Sequence, residues 1–294
     1  MTAPLDPRRH AHRPDLADRL LEGRVSAERF VEGWRSLIVA PKAEIHAAPS
    51  LESPRTSEFL RSEPVRVFEE IDVDGTPWMW VQSERDGYVG YALRHQIAER
   101  GVATKQATAD LARVRVPHTH LYAEPSIKAA IEDESFLSVL EPLSETERSE
   151  NGFRLLSGGL WIWERHITDA EWKASDWVAV AELYLHVPYV WGGKTSQGLD
   201  CSGLVQLALQ MAGYDCPRDS DMMEAEVGRP IDPEGPLRRG DLVFWKGHVG
   251  VMTDAETLLH ANAYHLAVAA EPLADARARI KVNSFGPVTA VKRL

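Results

Sequence analysis

The feature that most restricts the fold is a change of apolar period near residue 170. Before it, stretches such as "EPVRVFEE", "PWMWVQSERDGYVGYAL", "ARVRVPHTHLYAEPS" and "GFRLLSGGLWIWERHI" alternate apolar and polar residues around Gly, Pro and Asp. A period of two broken by turn formers is the pattern of short antiparallel strands. After it, "DAEWKASDWVAVAELYLHV" and "CSGLVQLALQMAG" repeat their apolar residues at three and four, as helices do. The strand-like runs "GDLVFWKGHVGVMT", "TLLHANAYHLAVAAEPL" and "VTAVKRL" follow. Helices first and an antiparallel sheet after them predict an α+β domain over residues 170–294. A chain of 294 residues has room for this domain and for the β-rich part ahead of it.

The β-rich part divides in two, at 37–100 and 108–168. Each half has a strand and a turn with Pro, then an apolar strand, then a strand carrying Trp78 and Trp80 or Trp161 and Trp163. That repetition predicts two small all-β barrels related by duplication, with "GVATKQATADLA" as the linker. The turn "DVDGT" predicts a hairpin in the first. In residues 1–36, Leu16, Leu20 and Leu21 form one apolar set and Phe30, Val31 and Trp34 another, with Gly23 between them. This spacing predicts a helical N-terminal segment of two short helices packed on a neighbouring domain.

Charge narrows the partners. Thirty-three Lys and Arg against 44 Asp and Glu leave a net charge of -11, which argues against nucleic acid or an anionic membrane as a general partner. No run approaches the eighteen apolar residues of a membrane helix. The start, "MTAPLDPRRHAHRPDLADRLLEG", has early positive charge without an apolar stretch behind it, so the expected location is cytoplasmic. Cys201 and Cys216 are the only cysteines, too few for a disulfide framework or a four-cysteine zinc site. His118 and His120 in "PHTH" share a strand face, but two imidazoles make a poor zinc site. "GGKTS" lacks the spacing of a phosphate loop.

Cys201 raises the question of chemistry. Leu204, Val205, Leu207, Ala208 and Met211 place it at the first turn of a helix that Gly213 ends. There the helix dipole and free N–H groups favour the thiolate; the alternative is an inert buried cysteine. His248 opens a strand between Gly247 and Gly250, which leave room for another chain to approach. Val249 and Val251 point to the core and His248 to the other face. His260 stands twelve residues later on the next apolar strand, where one imidazole can hydrogen-bond the other and fix its tautomer. Cys216 lies beside Pro217 in a loop without a basic partner and is read as a non-catalytic thiol.

Together "VPYVWGG", "LDCSGLVQ", "RRGDLVFW", "HVGVM" and "LLHANA" resemble the NlpC-type cysteine peptidases of bacterial cell-wall metabolism, over roughly residues 170–294. The upstream β segments resemble the bacterial SH3-like domains that precede this domain in γ-D-glutamyl-diamino acid endopeptidases. The resemblance implies an α+β papain-like catalytic domain with Cys201 as nucleophile, His248 as general base and acid, and His260 as its orienter. It implies that Tyr189 helps polarise the scissile carbonyl. Asp200 and Ser202 match positions that bind the free amine of L-Ala-γ-D-Glu, and Arg218 and Ser220 match positions that hold the α-carboxylate of D-Glu. Asp200 is equally read as a helix cap. Tyr88, with Tyr91 as the alternative, and Glu58 are the candidates for closing the amine subsite from the first SH3-like domain. The implied substrates are small murein peptides, cut at the γ-D-glutamyl-diamino acid bond in peptide recycling, with neither metal nor organic cofactor. The alternatives are an amidase or acyltransferase on the same fold, or a weakly catalytic wall-fragment binding protein.

Overall fold

The computed structural model describes residues 5–101, 110–146 and 148–294; most of the expected linker lies outside them. The chain divides into two units, Met1–Trp172 and Lys173–Leu294.

In the N-terminal unit, strands Trp34–Leu37, Lys42–His46, Arg55–Leu60, Pro64–Val73, Thr76–Ser83 and Val89–Leu93 join in one six-stranded antiparallel sheet. The predicted hairpin at "DVDGT" forms, with Asp74 and Gly75 both at positive φ and the Gly75 N–H donating to Asp72 Oδ1 at 2.8 Å. Alternation along the strands packs Ile45, Phe59, Val65, Val67, Met79 and Val81 into one core. The second β segment forms a five-stranded and a three-stranded sheet around Val114, Leu121, Phe136, Val139 and Ile162. Leu60 of the first segment joins this second core. The two segments repeat a local device. A 3-10 turn (Arg94–Gln96, Glu164–His166) follows a strand, and Ile97 and Ile167 then return the chain to the module's opening strand.

The expected N-terminal helices do not form. Leu16–Asp18 and Arg29–Val31 pair as short parallel strands, and Arg19–Leu21 is a single 3-10 turn. Leu16 and Ala11 are buried against Phe68 and Trp80, and the Arg13 guanidinium lies 4.3 Å from the Trp80 ring centroid. Arg13 also donates to Glu69 Oε2 at 2.5 Å and to the Tyr91 hydroxyl at 2.8 Å. Helices this short are marginal alone, so burial of an extended strap against the sheet decides the conformation.

We number the elements of the C-terminal unit. Its helices are α1 (Trp177–Glu182), α2 (Cys201–Met211), α3 (Ser220–Glu226) and α4 (Leu273–Asn283). Its main strands are β1 (Arg229–Ile231), β2 (Leu242–Trp245), β3 (His248–Met252), β4 (Thr257–Asn262), β5 (Ala267–Pro272) and β6 (Val288–Arg293), in the sheet order β1-β6-β2-β3-β4-β5. The helix-then-sheet order is the expected one. The run expected to be helical from 170 narrows to six residues, capped by Asp176, whose Oδ1 accepts from the Val178 N–H at 3.0 Å. Every residue of β2 and β3 is buried, so these strands are covered on both faces, the face of His248 as well as that of Val249 and Val251. Met252 packs with Trp245, Leu258 and Ile280 beneath α4, while α2 also packs on β3 and β4. Among the described residues no helix is long and apolar enough to cross a membrane.

Candidate active site

The site begins with a tight turn. Residues 190–203 fold back so that three glycines meet backbone or side chain. A Cβ on Gly203 would sit 2.3 Å from Gly193 O, one on Gly193 2.4 Å from Gly198 O, and one on Gly198 2.3 Å from Val190 Cγ2. Asp200 closes the turn as the N-cap of α2: its Oδ1 accepts from the Gly203 N–H at 2.6 Å and its Oδ2 from the Gly192 N–H at 2.9 Å. This fixes Cys201 as the first residue of α2, 8% exposed.

Arg218 completes the cluster and corrects an expectation. Rather than presenting a fork for a substrate carboxylate, its guanidinium is 1% exposed and bidentate to Asp200, at 2.9 Å to Oδ1 and 2.7 Å to Oδ2. It also donates to Ser202 Oγ at 2.8 Å. Asp200 is therefore a cap neutralised by arginine, not a lone carboxylate facing an ammonium group. Ser220 opens α3 and is buried; α3 packs on α2 and β3. Tyr189 is half-buried, and its backbone bridges Leu199, next to Asp200. Burial raises the pKa of its phenol, and the negative forms of Cys201 and Asp200 add to that, so the hydroxyl keeps its proton and stays a donor.

The imidazoles come from β3 and β4. His248 Nε2 and His260 Nδ1 are 2.8 Å apart, with both rings buried. Gly250 permits this: a Cβ there would lie 2.8 Å from Leu258 Cδ1 and 3.1 Å from His260 Cβ. Phe285 stacks on His248 at 5.4 Å between centroids and 7° between planes, and Trp245 lies at 5.6 Å. A cavity of about 300 Å³ adjoins His248 and His260, lined also by Tyr264, Arg279 and Phe285. The two groups join at the nucleophile. The backbone N–H groups of Val249, the residue after His248, and of Ser202 favour the Cys201 thiolate.

Electrostatics correct a second expectation. Burial, reinforced by the Asp200 carboxylate, pushes the Cys201 thiol up to about 12, against the helix start and the two N–H groups. Burial, reinforced by His260, pushes His248 down to about 3. Burial thus disfavours the charged form of both groups.

Sequence reasoning missed a carboxylate. His260 Nε2 lies 2.7 Å from Oε1 of Glu271 on β5, and Arg279 of α4 donates to both Glu271 oxygens. The signal was an acid eleven residues after His260 across a hairpin. Tyr88 and Glu58 belong to the first β module. Tyr88 is 4% exposed and packs in its core, and buried Glu58 pairs with Lys42 Nζ at 2.9 Å and Arg55 Nη1 at 3.3 Å.

Comparison with known proteins supplies the family. Residues 186–279 match the NlpC/P60 family, and these residues hold Cys201, His248, His260 and Glu271. The C-terminal unit is an NlpC/P60 cysteine peptidase domain. Residues 45–97 match the bacterial dipeptidyl-peptidase Sh3 domain, so a bacterial SH3 domain precedes the NlpC/P60 domain. Dipeptidyl-peptidase 6 of Lysinibacillus sphaericus is 24% identical over 241 residues, covering 77% of this chain and 87% of that protein. Gamma-D-glutamyl-L-lysine dipeptidyl-peptidase of Bacillus subtilis is 28% identical over 190 residues, and the match spans 60% of each chain. A solved NlpC/P60 family protein from Bacillus cereus aligns with a TM-score of 0.69 at 20% identity, over 88% of this chain and 99% of that one, which shows the shared fold.

Proposed function

We propose that this cysteine peptidase cleaves the bond between γ-D-glutamate and a diamino acid, diaminopimelate or lysine, in small murein peptides. The observation that carries the reading is the joint occurrence of Cys201 at the start of α2, the His248–His260 pair and an SH3 domain, in a chain similar over 241 residues to a dipeptidyl-peptidase. In the reaction, Cys201 Sγ attacks the γ-carbonyl carbon while its proton passes to His248. The oxyanion is met by the Cys201 N–H, which has no intrahelical partner at the first turn of α2, and by the Tyr189 hydroxyl. His248 then protonates the departing amine, leaving a thioester on Cys201. Water, deprotonated by His248, hydrolyses the thioester and restores the thiol. Ser202 and Ser220 are the polar side chains of this cluster that we assign to substrate binding. A preference for a free N-terminal amine and a role in recycling free peptides are part of the proposal.

The test is a mass-spectrometric digest of L-Ala-γ-D-Glu-meso-diaminopimelate and its lysine counterpart, each free and N-acetylated, beside Cys201→Ala. Release of L-Ala-γ-D-Glu from a free-amine peptide, abolished in the variant, supports the reading. Cleavage of acetylated and free peptides alike removes the amine preference. Intact peptides together with an alkylatable Cys201 overturn the assigned substrate.

A further inference from the structure

The hydrogen bonds around His260 dictate where protons sit. A carboxylate only accepts, so the contact of 2.7 Å to Glu271 Oε1 requires the proton on His260 Nε2. His260 Nδ1 is then a lone pair, and at 2.8 Å it must accept from His248 Nε2–H. That leaves His248 Nδ1 as the one ring nitrogen of the neutral pair free to take a proton. The same wiring read in reverse, with Nδ1–H on His260, would set the Nε2 lone pair against the carboxylate.

We propose that Glu271 and its counter-ion Arg279 are positioning residues: through His260 they impose the tautomer in which His248 acts as base. This rests on the reading that His248 takes the Cys201 proton. The register makes the contact possible. Leu258 pairs with Glu271 and His260 with Ala269, so Glu271 lies on the same face of β5, diagonal to His260. Arg279 donates from Nη1 to Oε2 at 2.5 Å and from Nη2 to Oε1, which aims the carboxylate and tempers its charge. Glu271 is held down to about 2 by Arg279 and then His260, against burial, so it stays ionised at working pH. The remaining titratable and charged groups around the array are His265, Tyr264 and Asp275; the Arg279 guanidinium lies 4.2 Å from the Tyr264 ring centroid.

The experiment reads the pH dependence of Cys201 alkylation by iodoacetamide, which needs no substrate, together with kcat and KM on the tripeptide. Glu271→Gln keeps an acceptor and loses the charge. Both limbs of its profile move to lower pH, by about one unit, and kcat falls about tenfold with KM unchanged. Glu271→Met loses the acceptor as well, and its kcat falls by about a hundredfold or more. Arg279→Met removes a cation that opposes the imidazolium, and its limbs move to higher pH. Wild-type profiles in Glu271→Gln and Arg279→Met, with only the melting temperature lowered, would reduce the pair to a structural ion pair and overturn the proposal. If the wild type leaves the tripeptide uncut, the substrate assignment fails, and the alkylation profiles still decide this one.

Discussion

Arg218 grips both carboxylate oxygens of Asp200, at 2.9 and 2.7 Å, in the turn that presents Cys201. With Arg218 1% exposed, this pair cannot be treated as a surface ion pair. Removing one partner leaves an uncompensated buried charge, which costs about 3–5 kcal/mol. Arg218→Met should lower the guanidinium unfolding free energy by about that amount, and Asp200→Asn with Arg218→Met should recover part of it. A single variant as stable as wild type would show that the turn does not depend on the pair.

Stability should fall on both sides of neutrality for two separate reasons. Unfolded, His248 takes a proton near its ordinary 6.5, but folded only near 3. Its contribution is complete above 6.5 and is lost as pH falls toward 3. Cys201 runs the other way, from an ordinary 9.0 to about 12, so its contribution is complete below 9.0 and lost as pH rises toward 12. Unfolding midpoints across pH check this: Cys201→Ala should flatten the alkaline side and His248→Gln the acid side. Because the raised Tyr189 phenol adds its own alkaline loss in both proteins, an alkaline side left wholly unchanged in Cys201→Ala contradicts the thiol assignment.

Gly203 and Gly250 should differ in their tolerance of a side chain. Alanine at 203 gains about 1 kcal/mol of helix propensity, but its Cβ meets the Gly193 carbonyl oxygen at 2.3 Å, and backbone there cannot move away. We expect a net loss of about 1–3 kcal/mol and a lower kcat, because Cys201 shifts with the turn. At Gly250 the nearest atoms belong to side chains, Leu258 Cδ1 at 2.8 Å and His260 Cβ at 3.1 Å, so the stability loss should be smaller while kcat still falls through His260. Thermal melts of the two variants rank them; equal stability losses would refute the distinction.

The N-terminal strap should carry real stability. Leu16 is fully buried against Phe68 and Trp80. Leu16→Ala should cost about 2–5 kcal/mol in the N-terminal unit while leaving the alkylation rate of Cys201 unchanged. Proteolysis with mass mapping would locate the loosening; an unaltered cleavage pattern would mean the strap is dispensable.

Local pattern determined much of this protein. The apolar spacing after Cys201, with Gly213 at its end, specified α2, and turn residues specified the hairpin at Asp74–Gly75, because these depend on neighbours in the chain. The order of motifs around Cys201, His248 and His260 specified the family for the same reason. What needed the tertiary structure was decided by burial and by partners distant in sequence. Leu16, Leu20 and Leu21 have helical spacing, yet the surface offered by Phe68 and Trp80 made the segment extended. Arg218 looked available for a substrate until the fold set it on Asp200. At the helix start expected to favour the thiolate, burial raises the Cys201 thiol instead, because desolvation of a charge opposes the helix dipole. Glu271 became visible only through the register of β4 and β5, because a sequence separation of eleven residues says nothing about which side chains face each other across a hairpin.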